Sequence, residues 1–237
     1  NSNVYRDNII IDNNYGMNFD NSINNNLSGN TFINNIYYGL QIVNSGTNAL
    51  DTNYFTNNGA WQILVDNSKV YLSGNINITG NISDFNIKNN GIVYDSGLTG
   101  ITTDHGTYII NNATNVLIKS LNLADSGAYE TGCADSSYDQ CEFLSYNNIV
   151  KVTNNPSGGN LELTVPFDIS KADTLDIKSS QINIGMWSDL GWINLGQSSI
   201  DLKNGKISYG PISAGIFGAL GFVNIKNLQP NLTISFT

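Results

Sequence analysis

Along the first part of the chain one pattern of apolar and polar positions recurs. The segments Gly16-Met-Asn-Phe-Asp-Asn-Ser22, Gly39-Leu-Gln-Ile-Val-Asn-Ser45 and Trp61-Gln-Ile-Leu-Val-Asp-Asn-Ser68 alternate apolar residues and end on a polar stop. Looser copies stand at Gly91-Ile-Val-Tyr-Asp-Ser96 and Leu121-Asn-Leu-Ala-Asp-Ser126, so the closing serines are 23, 23, 28 and 30 residues apart. A second register agrees. Asn8-Ile-Ile-Ile-Asp-Asn, Asn30-Thr-Phe-Ile-Asn-Asn and Asn53-Tyr-Phe-Thr-Asn-Asn recur at intervals of 22 and 23 residues. Each unit holds two or three short β-branched or aromatic runs separated by Asn, Asp, Gly and Ser. Such runs are too short and too rich in poor helix formers to be helices. A fixed period of this length with three short strands per unit predicts a solenoid, one coil per repeat.

The abundance of Asn has a physical reason in such a coil. Between strands the backbone must visit left-handed conformations, which Asn and Gly tolerate, and Asn side chains stacked from coil to coil can hydrogen-bond to one another. These repeats resemble the right-handed parallel β-helix of the pectate-lyase and tailspike type, in the Asn-rich form of archaeal and bacterial adhesin-like and surface-layer proteins. The resemblance covers about residues 1–150. It implies an all-β fold and leaves the role open, because that fold carries lyases, hydrolases, adhesins and stalks alike.

The pattern breaks at Asn154-Asn-Pro-Ser-Gly-Gly159, a turn-rich hexapeptide. Beyond it the runs Leu161 to Val165, Leu175 to Ile177, Ile182 to Ile184, Ile200 to Leu202, Phe222 to Ile225 and Leu232 to Phe236 alternate without the repeat period, and Lys203-Asn-Gly-Lys206 reads as a hairpin turn. The expected organisation is therefore a parallel β-helix over 1–153 and, over 160–237, a small antiparallel β-sandwich-like domain or a cap on the last coil. Insertions around Gly97 to Gly106 and Cys133 to Cys141 fall between repeat cores and are candidate interaction loops.

Composition narrows the partners. Charged residues are only 12% of the chain, and 40 Asn take their place, 25 of them within residues 1–100. Ten basic residues, Arg6 the single Arg, stand against 19 acidic ones without any basic cluster, which excludes a nucleic-acid backbone as ligand. No apolar run is long enough to span a bilayer. Cys133 and Cys141 lie in a Gly/Ser/Asp-rich stretch that suits a disulfide-closed loop, and Asn-x-Ser/Thr sequons occur at Asn26, Asn77, Asn81, Asn112 and Asn231. Together they point to an extracellular or cell-surface protein that could carry glycans.

Candidate chemistry is sparse. A lyase needs a basic residue beside the substrate carboxylate, and the chain offers Arg6 alone; Asp12, Asp20, Asp51 and Asp66 fall at the polar stops, where turn chemistry explains them. His105, the lone His, has no second His for a metal and no serine elbow beside it. Asp125, Glu130, Asp135, Asp139 and Glu142 form an acidic stretch free of Lys and Arg, a possible calcium site in a chain that otherwise requires no cofactor. Trp61, Trp187, Trp192, Tyr37 and Tyr38 could stack on sugar rings or fill the interior. Gly215, Gly218 and Gly221, with the run Asn231 to Thr237, could meet a neighbouring subunit or belong to the C-terminal domain.

The expected function is thus a non-catalytic structural or adhesive surface protein that associates with itself end to end into a layer, sheath or filament. The first repeat, Asn1 to Asn8, shows no polar cap, and either preceding protein or another subunit's C-terminal domain would close that open coil. The alternative is a β-helix that binds or cleaves cell-surface glycans, recognisable by a groove with converging carboxylates or stacked aromatics. A third reading is an inert stalk of a larger adhesin.

Overall fold

The computed structural model describes residues 2–80, 83–95, 100–129, 132–146, 148–154 and 159–223. The repeats fold as a β-solenoid. Its first coil is β1 (Val4–Arg6), β2 (Ile9–Ile11) and β3 (Tyr15–Asp20), and the second is β4 (Asn25–Ser28), β5 (Thr31–Ile33) and β6 (Tyr38–Val43). The third is β7 (Thr47–Asp51), β8 (Tyr54–Thr56) and β9 (Trp61–Asp66), and the fourth is β10 (Lys69–Leu72), β11 (Ile76–Thr79) and β12 (Ser83–Lys88). Two strands of a fifth follow, β13 (Ile92–Asp95) and β14 (Ile101–Thr103). Each strand pairs in parallel with its equivalent one coil away, building three ladders.

The repeat produces this geometry through its corners. Asp12, Asn34 and Asn57 have φ of 56°, 51° and 51°, and Asn21, Asn44 and Asn67 have 52°, 48° and 46°. A third column holds Asp7 (53°), Gly29 (65°) and Thr52 (51°). Such left-handed backbone suits Asn, Asp and Gly, whereas a β-branched residue such as Thr52 is strained in it. Each left-handed residue is followed by a polar residue that, in the second and third coils, is buried: Asn30 and Asn53, Asn35 and Asn58, Ser45 and Ser68. Between the corners the apolar positions stack inward. Leu27, Leu50 and Leu72 form one interior column, Phe32, Phe55 and Ile78 another, and Leu40, Ile63 and Phe85 a third. Phe32 and Phe55 stack with centroids 4.7 Å apart. Burying one such side chain contributes roughly 2 kcal/mol.

Parallel pairing ends at Thr103. The chain turns at Asp104–His105, with His105 N–H donating to Thr103 Oγ1 at 3.2 Å, and Gly106 takes φ of 135°. Strand β15 (Gly106–Thr114) then runs back antiparallel along both β14 and β13, covering two of the three ladder edges. Strand β16 (Val116–Leu121) covers the third by pairing antiparallel with β12. Antiparallel structure therefore starts at residue 106, well before the break expected at 154–159, and the loose copy at Leu121 to Ser126 is the end of β16 followed by a short helix, α1 (Leu123–Ser126). The lengthened spacing of the later serines marks this change of pairing.

From these two strands the sheets grow outward. One adds β19 (Asn160–Pro166), β23 (Lys206–Ile212) and β22 (Ser199–Asp201) to β15. The other adds β18 (Ile149–Asn154), β24 (Gly215–Val223), β20 (Ile182–Ser188) and β21 (Gly191–Gly196) to β16, with β17 (Gln140–Phe143) on β24. One buried cluster continues from Phe19 in the first coil to Ala219 in β24, and a second, around Trp192 and Phe222, fills the disulfide side of the cap. Over the described residues the C-terminal half packs on this chain's own last coil. Leu175 to Ile177 is not a strand: Asp168 accepts from Lys171 N–H at 3.0 Å and starts helix α2 (Ile169–Thr174), whose end those residues form. Gly218 and Gly221 make room for Phe143 and Ile177 within the cap, so their small size serves internal packing. The runs after Val223, including Leu232 to Phe236, lie outside the described residues.

Candidate functional site

A concave feature of about 530 Å³ lies on the cap, across β15, β19, β23 and β22. Its position follows from strand register. Asn111 stands opposite Glu162, Thr164 opposite Ser208, and Asp201 opposite Lys206, so three polar cross-strand pairs succeed one another across four strands. Four strands at normal spacing span about 15 Å. Ile109 shares the face of these pairs and supplies apolar lining, Ile200 and Tyr209 border the concavity while packing toward the buried core, and Ser198 and Ser199 lie at one side.

The pairs are only partly satisfied internally. Asn111 Nδ2 donates to Glu162 Oε2 at 3.2 Å, and the Thr164 and Ser208 hydroxyls share one bond of 2.7 Å. Among the described residues neither Glu162 nor Lys206 forms an ion pair. Asp201 is different: it accepts from Lys203 N–H, Asn204 N–H and Asn204 Nδ2 at 3.1, 3.1 and 2.6 Å. Those bonds, the Asn204 side chain foremost, hold its carboxyl below the usual range. Asp201 therefore stays ionised and anchors the hairpin turn, while Glu162 keeps an oxygen free for a ligand. No local signal announces this groove, because its members are distant in sequence and belong to no repeat.

A second exposed surface runs along the solenoid. Tyr15, Tyr38 and Trp61 share one register, with Tyr15–Tyr38 centroids 5.6 Å apart and Tyr38–Trp61 centroids 5.4 Å apart; Tyr37 stacks on Tyr15 at 5.1 Å. Stacking turns most ring faces toward one another and leaves mainly edges and hydroxyls for solvent, so these residues tie coils together more than they offer a sugar platform. Trp192 is fully buried with its indole N–H donating to Tyr129 O at 2.7 Å, and Trp187 packs edge-on against it at 5.3 Å. The interior reading holds for that pair.

The structure joins Cys133 and Cys141 in a disulfide, with Cα atoms 5.4 Å apart. Among the described residues no group of three or more His, Cys, Asp or Glu gathers as a metal site. Asp125 accepts from Asn122 Nδ2, Asp135 is held below its usual range by the Ser137 N–H, and Glu142 accepts from Gln140; Asp139 lies in the same loop, and Glu130 is outside the described residues. Asp125, Asp135 and Glu142 are thus each engaged by a residue within three positions in the chain. Asp20 and Asp51 likewise accept from their neighbours Asn21 and Thr52, Asp66 pairs with Lys88 at 3.3 Å, and Asp12 occupies a left-handed corner. His105 sits half-buried in the β14–β15 turn, and Arg6 is exposed at the end of β1. Of the sequons, Asn112 is exposed, Asn26 and Asn77 are half-buried within strands, and Asn81 and Asn231 lie outside the described residues.

One buried polar cluster was not foreseen. Asp84 in β12 is 1% exposed and accepts from Tyr108 Oη at 2.7 Å and Ser120 N–H at 2.9 Å. Desolvation pushes its carboxyl up to about 6, against the opposing pull of those bonds and of Lys119. Burial, then the neighbouring Asp84, holds the Tyr108 hydroxyl well above its ordinary value. The cluster pins β12, β15 and β16 together where parallel pairing gives way to antiparallel.

No protein-family model matches the chain, and no curated protein does. Among solved structures, the enzymatically active domain of bacteriophage CBA120 tailspike protein 2 is similar over 88% of this chain and 48% of that one, with 11% identity and a TM-score of 0.26. The Dettilon tailspike protein is similar over 93% and 56%, with 12% identity and a TM-score of 0.21. The chain spans about half the length of these tailspikes. At such scores the likeness carries no argument about chemistry, and the β-solenoid rests on the strand pairing itself.

Proposed function

We propose that this protein is an adhesive β-solenoid of the cell surface that holds a carbohydrate chain in the groove of its cap. The observation that carries the reading is the row of cross-strand pairs Asn111–Glu162, Thr164–Ser208 and Asp201–Lys206 over an apolar lining. A sugar chain is the ligand whose hydroxyls, each donor and acceptor, match such alternation while a C–H face rests on Ile109. The groove's formal charge, two carboxylates against one ammonium, favours neutral or amino sugars over uronates. Holding is supported over cleaving by Asp201, whose bonded, ionised carboxylate is a poor proton donor to a leaving group. The disulfide supports an oxidising, extracellular setting, and no helix among the described residues is long and apolar enough to cross a membrane.

The test is an array of neutral, amino and acidic glycans, followed by calorimetry on whatever binds and an assay for new reducing or unsaturated ends. Glu162→Gln and Asn111→Ala should each weaken binding at least about tenfold, equivalent to about 1.4 kcal/mol, while Trp61→Ala leaves it unchanged. Silence across the array, or binding abolished by Trp61→Ala alone, would sink the groove as the site.

A further inference from the structure

The charges lining the groove are unevenly balanced. At one end Lys206 lies opposite Asp201, and its charge adds to the Asn204 bonds that hold that carboxyl down. At the other end Glu162 has Asn111 on β15 and Gly210 on β23 as its neighbours, and among the described residues it forms no ion pair. Lys206 pairs with Pro166, four positions along β19 from Glu162, which places the two about 13 Å apart at about 3.3 Å per residue. That exceeds the Debye length of about 8 Å at physiological salt, so Lys206 does little to neutralise Glu162.

Local structure holds this carboxylate in place. Strands β19 and β23 slip register between Leu161 and Leu163, and Gly210 lies against Glu162 at the slip: a Cβ on Gly210 would stand 2.8 Å from Glu162 Cα and 3.0 Å from its Cγ. A side chain at 210 would push the Glu162 stem aside. From the other flank Asn111 Nδ2 donates to Glu162 Oε2 at 3.2 Å, which leaves Glu162 Oε1 and Asn111 Oδ1 without donors among the described residues. Glu162 itself is exposed. This end of the groove is thus a positioned, solvent-facing pair of acceptors with one negative charge.

We infer that the groove selects saccharides bearing a free amino group, whose ammonium docks on Glu162 with Asn111 Oδ1 as the second acceptor. This rests on the carbohydrate reading of the groove and sharpens it. An ammonium brings three N–H donors and a charge, and its hydrogen bonds to a carboxylate are roughly twice as strong as neutral ones. An N-acetylated amine brings one N–H and no charge. A uronate sets like charge against Glu162. The Lys206–Asp201 end, already balanced as a pair, takes uncharged hydroxyls.

Because the chain carries a net charge of -9, any cation is drawn to it weakly, and the test needs matched ligands and a charge-matched variant. Calorimetry at physiological salt compares a glucosamine trisaccharide with the same trisaccharide fully N-acetylated. The free-amine form should bind at least about tenfold more tightly. Glu162→Gln should abolish that preference and Glu162→Asp should keep part of it. Asp189→Asn, which removes the same charge from the exposed turn between β20 and β21, should leave it intact. Equal affinity for the two trisaccharides, a preference that survives Glu162→Gln, or one lost equally in Asp189→Asn would overturn the ammonium site while leaving the groove as a sugar site. Absence of binding by either trisaccharide and by every neutral glycan would instead remove the carbohydrate reading, and this inference with it.

Discussion

The solenoid and its cap share one continuous buried cluster yet solve the problem of backbone satisfaction differently. In the coils, buried polarity sits mainly at the corners and repeats, with Gln62 and Asn86 inside strands as the exceptions: one Asn or Ser per corner bonds to neighbouring coils. In the cap and at the junction, buried polarity consists of single arrangements such as Asp84 with Tyr108 and Ser120, or the Ser145 hydroxyl accepting from Ala219 N–H at 2.9 Å. A repeated bond is cheap to specify because one local motif places it many times. A unique bond needs the whole tertiary arrangement. The difference shows why the proposed groove lies on the cap: regular coils make a uniform wall, whereas unequal strands meeting at changing registers leave a concavity.

That contrast can be broken from the solenoid side first. Asn53→Leu removes the acceptor of two Asn30 donors and the Nδ2 donor to Leu27 O and Asp51 O inside a fully buried corner. With buried donors stranded at about 1 to 3 kcal/mol each, the variant should lose about 4 kcal/mol in urea denaturation. A loss below about 1 kcal/mol would show that the ladders are ornamental and that the apolar columns alone hold the coils.

The junction makes the next largest claim. Because the folded state raises the Asp84 pKa from 3.8 to about 6, folded protein binds more protons than unfolded protein within that window. Stability should therefore be greatest below pH 4 as far as this group is concerned and fall as pH rises to about 6.5, by about 3 kcal/mol at 1.36 kcal/mol per unit. The groups acting on Asp84 are Tyr108, Ser120 and Lys119, of which none other titrates in that range. Denaturation midpoints from pH 4 to 7 for the protein and for Asp84→Asn isolate this contribution: the difference between them should slope across the window, and parallel curves would refute the assignment.

The smallest effect is a gain. Thr52 occupies a left-handed corner, φ 51°, where the neighbouring columns place Asn or Asp. Thr52→Asn should relieve roughly 1 kcal/mol of backbone strain, seen as a raised Tm. A lowered Tm would mean that the Thr52 Oγ1 bond to Asp51 at 2.8 Å outweighs that strain.

Sequence by itself determined the solenoid. A coil is a local object: corner residues that tolerate positive φ, a polar residue after each, and apolar residues between them all fall within some 23 positions, and repetition makes the pattern visible. The all-β class and the role of the acidic residues at the stops follow from the same local chemistry. Only the tertiary structure decided where the solenoid stops, because the reversal at residues 104–106 depends on β15 and β16 finding free ladder edges, which no local signal announces. It also decided that Trp192 is interior and that Asn111, Glu162, Thr164, Ser208, Asp201 and Lys206 share one groove. Those residues come together through antiparallel pairings between positions as much as 51 apart in the chain. Their register is set by packing on the last coil, so the site exists only once the core beneath it has formed.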